Sequence, residues 1–393
     1  MKKIIIVVII LISLSALILA SCVPGSRQEP AKGWAGPAAD NGIVYVGTVQ
    51  GSIVAVNSST RNLEWSYAIT TTAPSSFLSC GQGSTSTTIY STPVVDGDLV
   101  YVASYSGRVL ALSSVAREEG LEFPQKRYGE WQWDCPSEGK ESNAIVADLV
   151  ISGDAIFLCS SNGRVYSLDK EFGDLNWESQ KLTEKLWTAP AIQGDTVYVT
   201  TYDNKIQTLS VNNGDLLSWT YESESGFASQ PEIYEDIVLI GSFDKNMYAI
   251  KIGDVEPLWS FLGENWFWSA PVAYEGIIYA GCLDNQVYAI EASTGKKLWQ
   301  FDTGSPVVSS PVLMDNLLIV ANESGDVYVF DVSNRLVKTE VVPLKTISIE
   351  TTVLGPLSVS GNMVYIRAQN NSLYALDIER GGLDWKLPLT VEE

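Results

Sequence analysis

The chain has 393 residues, of which 46% are hydrophobic, and it carries 46 acidic side chains against 25 basic ones. The hydrophobic fraction is ample for a packed globular core, whereas the formal net charge of −21 argues against binding to nucleic acid and against electrostatic adhesion to anionic lipid. The sequence contains no histidine, which excludes Ser-His-Asp and Cys-His catalysis and every histidine-ligated metal centre.

The N-terminus has the pattern of a secretory signal peptide. Met1-Lys2-Lys3 supplies a charged start, an apolar run extends from Ile4 to Ala20, and no later apolar run is long enough to span a bilayer. The run ends in Leu19-Ala20-Ser21-Cys22, which resembles the lipobox of bacterial lipoproteins, a family in which the signal is cut before a cysteine that becomes diacylated.

We therefore predict a signal peptide over residues 1–21, lipidation of Cys22, and a polar tether over residues 22–35. The protein is then exported and held on the extracytoplasmic side of a membrane by its acyl chains, because two or three chains anchor stably where one does not. Cleavage without lipidation and an uncleaved membrane anchor are the alternatives.

A unit of about 40 residues repeats from residue 36 to residue 390. Its clearest copy contains a strand at Ile277–Gly281, a hairpin turn at Asp284-Asn285, and two strands within Tyr288–Trp299 that are separated by a tight turn at Gly295. Four short antiparallel strands in this span make one propeller blade. The second strand recurs around Tyr45, Tyr101, Phe157, Tyr198, Leu239, Tyr279, Ile319 and Tyr365. We predict an all-β fold, one eight-bladed β-propeller of four-stranded antiparallel blades, with almost no helix.

A tryptophan recurs near the start of the fourth strand. It occurs at Trp65, Trp177, Trp219, Trp259, Trp299 and Trp385. An insertion displaces the second unit's Trp131, and the seventh unit carries Arg335-Leu336-Val337 instead. A fixed place in the repeat favours a wedge in the core over a ring that stacks on a ligand.

The residues of the clearest copy resemble the tryptophan-docking repeat of pyrroloquinoline-quinone-type propellers. The matching residues are Ala289, Glu291, Thr294, Gly295, Leu298 and Trp299. Within that group, a lipoprotein signal followed by a single eight-bladed propeller is most similar to the BamB family of outer-membrane assembly lipoproteins. The resemblance implies that each tryptophan packs flat between neighbouring blades. It also implies a non-catalytic scaffold that binds an envelope protein or an extended polypeptide segment.

Quinone-dependent dehydrogenases are the enzymatic members of the same group, and they carry a vicinal Cys-Cys pair, a bound calcium ion and a catalytic Asp. No two of the five cysteines here are adjacent, and neither an Asp-x-Asp-x-Asp calcium loop nor a phosphate-binding glycine loop occurs. We therefore predict no catalytic residue, no metal site and no cofactor, and a quinone-dependent dehydrogenase is the less favoured alternative.

The segments that cross from blade to blade emerge on one face of a propeller, around the mouth of its channel. Their aromatic residues form a candidate binding face: Tyr90, Trp131, Trp133, Trp187, Phe227, Trp266, Phe267 and Trp268. Because side chains alternate along a strand, at least one of the last three should be exposed. Exposed aromatic rings suit a polypeptide, whereas stacking on the sugars of a cell-wall glycan is a second possibility, and rings that cap the channel are a third.

Four cysteines remain when Cys22 is assigned to lipid. Cys159 and Cys282 fall in the second strands of non-adjacent blades, where we expect buried, unpaired thiols. Cys80 and Cys135 lie in the two longest crossings, which flank the same blade on the same face. In an exported protein this placement predicts a disulfide between them, with two solitary thiols as the alternative.

Overall fold

The structure is a computed structural model that describes residues 35–72, 84–114, 131–136, 143–333 and 341–389. The predicted signal peptide, Cys22, the tether up to residue 34, Cys80 and Arg335-Leu336-Val337 lie outside the described residues. Within the described ranges there is no helix, and hence none that could cross a membrane.

The described strands form eight four-stranded antiparallel blades, which confirms the predicted fold. Blade 1 contains β1 (Pro37–Asp40), β2 (Ile43–Gly47), β3 (Ser52–Asn57) and β4 (Leu63–Ala68). A separate two-stranded ribbon follows, β5 (Thr70–Thr72) and β6 (Ser84–Ser86). Blade 2 contains β7 (Val94–Asp96), β8 (Leu99–Ala103), β9 (Arg108–Ser113) and β10 (Trp131–Asp134). Blade 3 contains β11 (Val150–Ser152), β12 (Ala155–Cys159), β13 (Val165–Asp169) and β14 (Leu175–Glu178).

The remaining five blades repeat this plan. Blade 4 contains β15 (Ala191–Gln193), β16 (Thr196–Thr200), β17 (Lys205–Ser210) and β18 (Leu216–Glu222). Blade 5 contains β19 (Glu232–Tyr234), β20 (Ile237–Gly241), β21 (Asn246–Lys251) and β22 (Trp259–Leu262). Blade 6 contains β23 (Val272–Tyr274), β24 (Ile277–Gly281), β25 (Gln286–Glu291) and β26 (Lys297–Asp302). Blade 7 contains β27 (Val312–Met314), β28 (Leu317–Ala321), β29 (Asp326–Asp331) and β30 (Lys345–Ser348). Blade 8 contains β31 (Ser358–Ser360), β32 (Met363–Ala368), β33 (Ser372–Asp377) and β34 (Gly382–Pro388).

The first strand of each blade is innermost. β1 lies beside β7 of blade 2 and β31 of blade 8, and β15 lies beside β11 and β19. Each blade takes its four strands from one continuous stretch of chain, so that the ring closes where blade 1 packs on blade 8. Apolar side chains such as Val44, Tyr365 and Trp385 fill this closing contact.

The core lies between the blades. The second strands are mostly apolar, and third strands such as β25 are apolar between polar ends, because a neighbouring blade covers each face of the sheet. Between blades 5 and 6, for example, Leu239, Met247 and Trp259 pack with Ile278 and Ile290. Full burial of one such side chain stabilises the fold by about 1.5–3 kcal/mol, and the pattern recurs around the ring.

The docking tryptophans lie at one register of the fourth strand. Trp65, Trp259, Trp299 and Trp385 each pair with an alanine of the third strand, and Trp177 pairs with Ser167. The indole of Trp259 donates to the carbonyl oxygen of Ala292 in blade 6 at 2.8 Å. A Cβ on Gly295, whose φ is 71°, would lie 2.7 Å from the same ring, so only glycine allows this approach. Trp219 donates instead to the carbonyl oxygen of Asp254, at 2.9 Å.

Trp131 is a docking tryptophan, and its assignment to the binding face is wrong. It pairs with Ala111 at the same register as the other docking tryptophans, and its indole donates to the carbonyl oxygen of Lys170 in blade 3 at 3.0 Å. Gly173, in the tight turn of blade 3, lies against its ring. The insertion before Trp131 lengthens the loop but leaves the strand register unchanged.

Blade 7 carries Lys345 in the place of the docking tryptophan. Lys345 pairs with Val329, the register position of tryptophan in other blades. Its Nζ donates to the carbonyl oxygen of Ile378 at 2.6 Å and also to that of Glu379. A Cβ on Gly381 would meet the lysine stem at 2.8 Å. Lys345 thus makes both contacts that a docking tryptophan makes in other blades. Its stem packs on the turn glycine, and its Nζ donates to the carbonyl oxygen of the residue three positions before that glycine.

The side chain of Cys135 is buried directly after β10 and does not lie exposed in a polar loop. Its Sγ lies 3.5 Å from Ser160 Oγ, and burial raises the pKa of the thiol. Because Cys80 lies outside the described residues, the disulfide remains a prediction. Cys159 and Cys282 are buried free thiols, as their strand positions predict.

Candidate functional site

One face of the ring carries both the crossings and the turns between second and third strands, and we call it the crossing face. Two hydrogen bonds illustrate how it is tied together: the backbone N–H of Tyr105 donates to the carbonyl of Thr88 at 3.0 Å, and that of Phe243 donates to Gly226 at 2.9 Å. In the middle of each crossing one apolar side chain is buried: Ile89, Ile145, Leu186, Phe227, Phe267, Val307 and Val353. The crossing face is therefore a rigid surface.

The three consecutive aromatic residues divide as strand alternation requires. Phe267 is fully buried, whereas Trp266 and Trp268 on either side of it are 38% and 42% exposed. The predicted exposure of at least one of them is confirmed. The assignment of Phe267 and Phe227 to the binding face is wrong, because both take the buried position of their crossing.

The other predicted aromatic residues lie farther along the same face. Trp187 is half exposed and packs edge-on against Tyr202, with ring centroids 5.7 Å apart. The ammonium group of Lys185 lies 5.3 Å from the Trp187 ring centroid. Tyr90 is half-buried, and its ring centroid lies 5.5 Å from that of Tyr105.

Trp133 is half-buried at the contact between blades 2 and 3. Its ring centroid lies 5.2 Å from that of Tyr166 in blade 3. Most of this ring is therefore used to join two blades, and the residue offers less to a ligand than Trp187 does.

Sequence reasoning missed three exposed aromatic residues of the crossing face. Tyr105, Tyr202 and Phe243 occupy the same position in the turns of blades 2, 4 and 5, and all three are exposed. Each directly precedes the hairpin turn pair of its blade, which corresponds to Asp284-Asn285 in blade 6. These pairs are Ser106-Gly107, Asp203-Asn204 and Asp244-Lys245. Comparing that one position across the eight units would have found them.

Phe243, Trp266 and Trp268 form what we call the aromatic cluster. The ring of Phe243 stands nearly perpendicular to that of Trp266, with centroids 5.1 Å apart, and is tilted by 62° against Trp268 at 6.4 Å. A Cβ on Gly226 would come within 3.1 Å of the Phe243 ring, so glycine leaves room for that ring. The cluster joins the turn of blade 5 to the crossing into blade 6.

Carboxylates accompany these aromatic residues. The first residue of the turn pair between the second and third strands is an aspartate in blades 4, 5 and 6, namely Asp203, Asp244 and Asp284. The other blades carry neutral residues there: Gln50, Ser106, Asn162, Ser324 and Asn370. Partial burial alone would raise the pKa of Asp244, but hydrogen bonds such as the one from Tyr248, at 2.6 Å, outweigh it and lower the pKa. The pKa of Asp203 is lowered in the same way, through hydrogen bonds from the side chain of Thr201 and from neighbouring groups.

The Cys, Asp and Glu side chains that the structure describes do not fit a quinone site that contains calcium. No group of three or more Cys, Asp or Glu side chains in the described ranges is placed to hold a metal ion. The three cysteines that the structure describes are buried, free and well separated in the chain. We therefore derive no chemical step through such a group.

Comparison with known proteins identifies the family of the chain. The model of the family described as "Outer membrane protein assembly factor BamB" matches residues 26–128, 121–260 and 256–338, which is well over half of the chain. The chain belongs to this BamB family. The match agrees with the repeat of docking tryptophans and turn glycines seen between the blades.

Curated BamB relatives match over a shorter stretch. The outer membrane protein assembly factor BamB of Salmonella typhimurium is 27% identical over 162 residues, which is 41% of this chain and 35% of that protein. BamB of Kangiella koreensis is 23% identical over 151 residues, 38% of this chain and 33% of that protein. The matched stretch thus spans about a third of the length of these relatives.

Two solved structures share the fold. The crystal structure of BamB from Moraxella catarrhalis superimposes with a TM-score of 0.61 at 15% identity, covering 85% of this chain and 91% of that one. A computationally designed protein, Ika8, gives a TM-score of 0.66 at 16% identity, covering 88% of this chain and 98% of that one. At these identities the likeness shows the fold alone.

Proposed function

We propose that the protein is a lipid-anchored, extracytoplasmic scaffold without catalytic activity, and that its crossing face binds an extended polypeptide segment of an envelope protein. The observation that carries the proposal is the set of exposed aromatic rings on backbone-tied turns, with the aromatic cluster at its centre. Aromatic side chains supply large contact areas at little entropic cost, and such residues dominate the energetics of protein interfaces.

Membership of the BamB family supports a role in outer-membrane protein assembly, because its curated relatives are named as assembly factors. We propose that the bound polypeptide belongs to, or is a client of, such assembly machinery. An extended segment suits the face, because it can contact the exposed aromatic rings of successive blades along its length.

Replacing both exposed indoles tests the proposal. The Trp266→Ala/Trp268→Ala variant should capture at least tenfold less of its envelope partner, since loss of two anchoring residues costs 2 kcal/mol or more. Its melting temperature should stay within about 2 °C of the wild type, because both rings are partly exposed. Capture would be measured by cross-linking in intact cells followed by mass spectrometry.

Phe172→Ala is the matched control, since Phe172 is an exposed aromatic residue in the turn between β13 and β14, on the opposite face. This control should capture the partner as the wild type does. If the double variant has a lower melting temperature but captures the partner normally, both indoles stabilise the fold and do not bind the partner, which contradicts the proposal.

Glycan binding is a second candidate, and the exposed pair Trp187 and Tyr202 favours it, because indole and phenol rings also stack on sugars. Cosedimentation of the purified protein with insoluble cell-wall glycan distinguishes the two. Binding that Trp187→Ala abolishes, while Trp266→Ala/Trp268→Ala leaves it unchanged, would favour the glycan.

A further inference from the structure

The aromatic cluster has the chemistry of a cation site. A cation within about 6 Å of a ring centroid is attracted by the π face, and Trp gives the strongest attraction. Phe243, Trp266 and Trp268 contact one another edge-on or tilted, and each of the three side chains is 38–42% exposed. The three rings are not stacked on one another, and each keeps part of its surface accessible to a ligand.

The molecule already contains one such contact on the same face. Lys185 lies over the ring of Trp187 at 5.3 Å, so the aromatic pair of blade 4 has a cation supplied by its own chain. In the part of the chain that the structure describes, no lysine or arginine lies over a ring of the aromatic cluster. The cluster therefore has the geometry of the blade 4 pair without its cation.

Charge around the cluster favours a positive occupant. Asp244 follows Phe243 directly in the turn, and the exposed Glu264 lies two residues before Trp266. Asp284 accepts a hydrogen bond from the backbone N–H of Glu264 at 2.9 Å, which keeps these two acidic residues together. An acidic residue directly follows the exposed turn aromatic in blades 4 and 5, as Asp203 follows Tyr202 and Asp244 follows Phe243. In blade 6, Asp284 follows Leu283, whose backbone N–H donates to the carbonyl oxygen of Trp266 at 3.0 Å, so negative charge lies on both sides of the aromatic cluster.

From this coincidence we propose that the aromatic cluster binds an arginine or lysine side chain of the polypeptide partner, an inference that rests on the proposed function. A guanidinium group stacks on an indole and pairs with a carboxylate at the same time. A purely apolar anchor would instead remove water from the neighbouring carboxylates without neutralising their charge, which is costly even though Asp244 and Asp284 accept hydrogen bonds from Tyr248 and Tyr288. The partner segment is therefore basic at its anchoring position.

A library of random 12-residue peptides displayed on phage is the probe, selected against the full chain purified in mild detergent. Counter-selection uses the Trp266→Leu/Trp268→Leu variant, in which the side chains remain apolar but have no π face. Peptides that prefer the wild type should be enriched in Arg or Lys over the unselected library. Phe172→Leu, an exposed aromatic residue elsewhere, is the control and should bind these peptides as the wild type does.

The selected peptides are then synthesised with citrulline in place of Arg, or norleucine in place of Lys, and their dissociation constants are measured by fluorescence anisotropy. Loss of the charge should weaken binding to the wild type by about fivefold to thirtyfold, which is the range of a cation–π contact assisted by carboxylates. Binding to the leucine variant should change by less than twofold.

Two results would overturn the proposal. Peptides that depend on Trp266 and Trp268 but bind equally well with citrulline would reject the cation site. The proposal that this face binds a polypeptide would then still stand. A selection that yields no peptide dependent on these two indoles would reject the cation site and the polypeptide-binding face together.

Discussion

At the scale of single residues, Asp148 departs most clearly from the repeat. It occupies the position just before the innermost strand, which other blades fill with neutral residues: Gly36, Thr92, Ala189, Gln230, Ala270, Ser310 and Pro356. Its Oδ1 accepts the backbone N–H of Thr92 at 2.6 Å, and Thr92 Oγ1 in turn accepts the N–H of Gly36 at 3.2 Å. Burial raises the pKa of Asp148 to about 6 although the hydrogen bonds from Thr92 lower it.

Because the folded-state pKa of Asp148 is raised, its proton stabilises the fold. This contribution is complete below about pH 4, the unfolded pKa, and is lost as the pH rises through about 6. Asp148→Asn keeps an acceptor for Thr92 without the buried charge, and should increase the free energy of unfolding by about 1–2 kcal/mol at pH 7.5. At pH 4 the increase should nearly vanish.

Urea denaturation at the two pH values measures this difference. Asp154→Asn, which removes an exposed carboxylate in the turn of the same blade, is the matched control. Equal effects of Asp148→Asn at both pH values would contradict the raised pKa.

Cysteine residues allow a second prediction at this scale. With Cys22 acylated, a disulfide between Cys80 and Cys135 leaves two free thiols, whereas its absence leaves four. Thiol titration of the denatured, unreduced protein counts them directly. The thiol of Cys135 is buried among Ser160, Asn162 and Tyr166. We expect two thiols, and a count of four would reject the bridge.

At the scale of the blade, Lys345 should be a structural residue. Lys345→Ala removes a charged donor from two carbonyl groups and the stem that covers Gly381, and should lower the free energy of unfolding by about 1–3 kcal/mol. Lys345→Trp, which restores the docking residue of the other blades, should recover most of the loss. Lys296→Ala, an exposed lysine in a turn of blade 6, is the control, and chemical denaturation is the measurement. An unchanged midpoint in Lys345→Ala would show that the contact contributes nothing.

The elements that sequence could predict are those with local signals. Turn pairs such as Asn162-Gly163 and short apolar strands such as Ile277–Gly281 mark every blade, so the number of blades followed from counting them. The docking position of blade 7 was missed, and Trp131 was also assigned to the binding face, because each follows a long insertion. Only the strand register shows that Lys345 and Trp131 occupy the docking position. Register depends on pairing between distant segments, which spacing alone does not give.

The candidate site was predictable in part for the same reason. Alternation was enough to expect exposure of at least one of Trp266, Phe267 and Trp268, because it is a local rule. Phe243 escaped notice because its contact with these indoles joins a turn of blade 5 to a crossing 23 residues later. Such a contact exists only once the blades are assembled around the ring.

At the scale of the whole molecule, membrane attachment should depend on Cys22 and not on surface charge. A formal net charge of −21 gives the protein no attraction to anionic lipid, so that acyl chains must supply the binding energy. Cys22→Ser should abolish incorporation of a palmitate analogue and move the protein from the membrane pellet to the soluble fraction, at low and at high salt alike. Ser21→Ala, which keeps a small residue before the cysteine, should retain label and pelleting. Cys22→Ser protein that still pellets but is released by salt would show that charged surface holds the molecule at the membrane, against the lipid anchor.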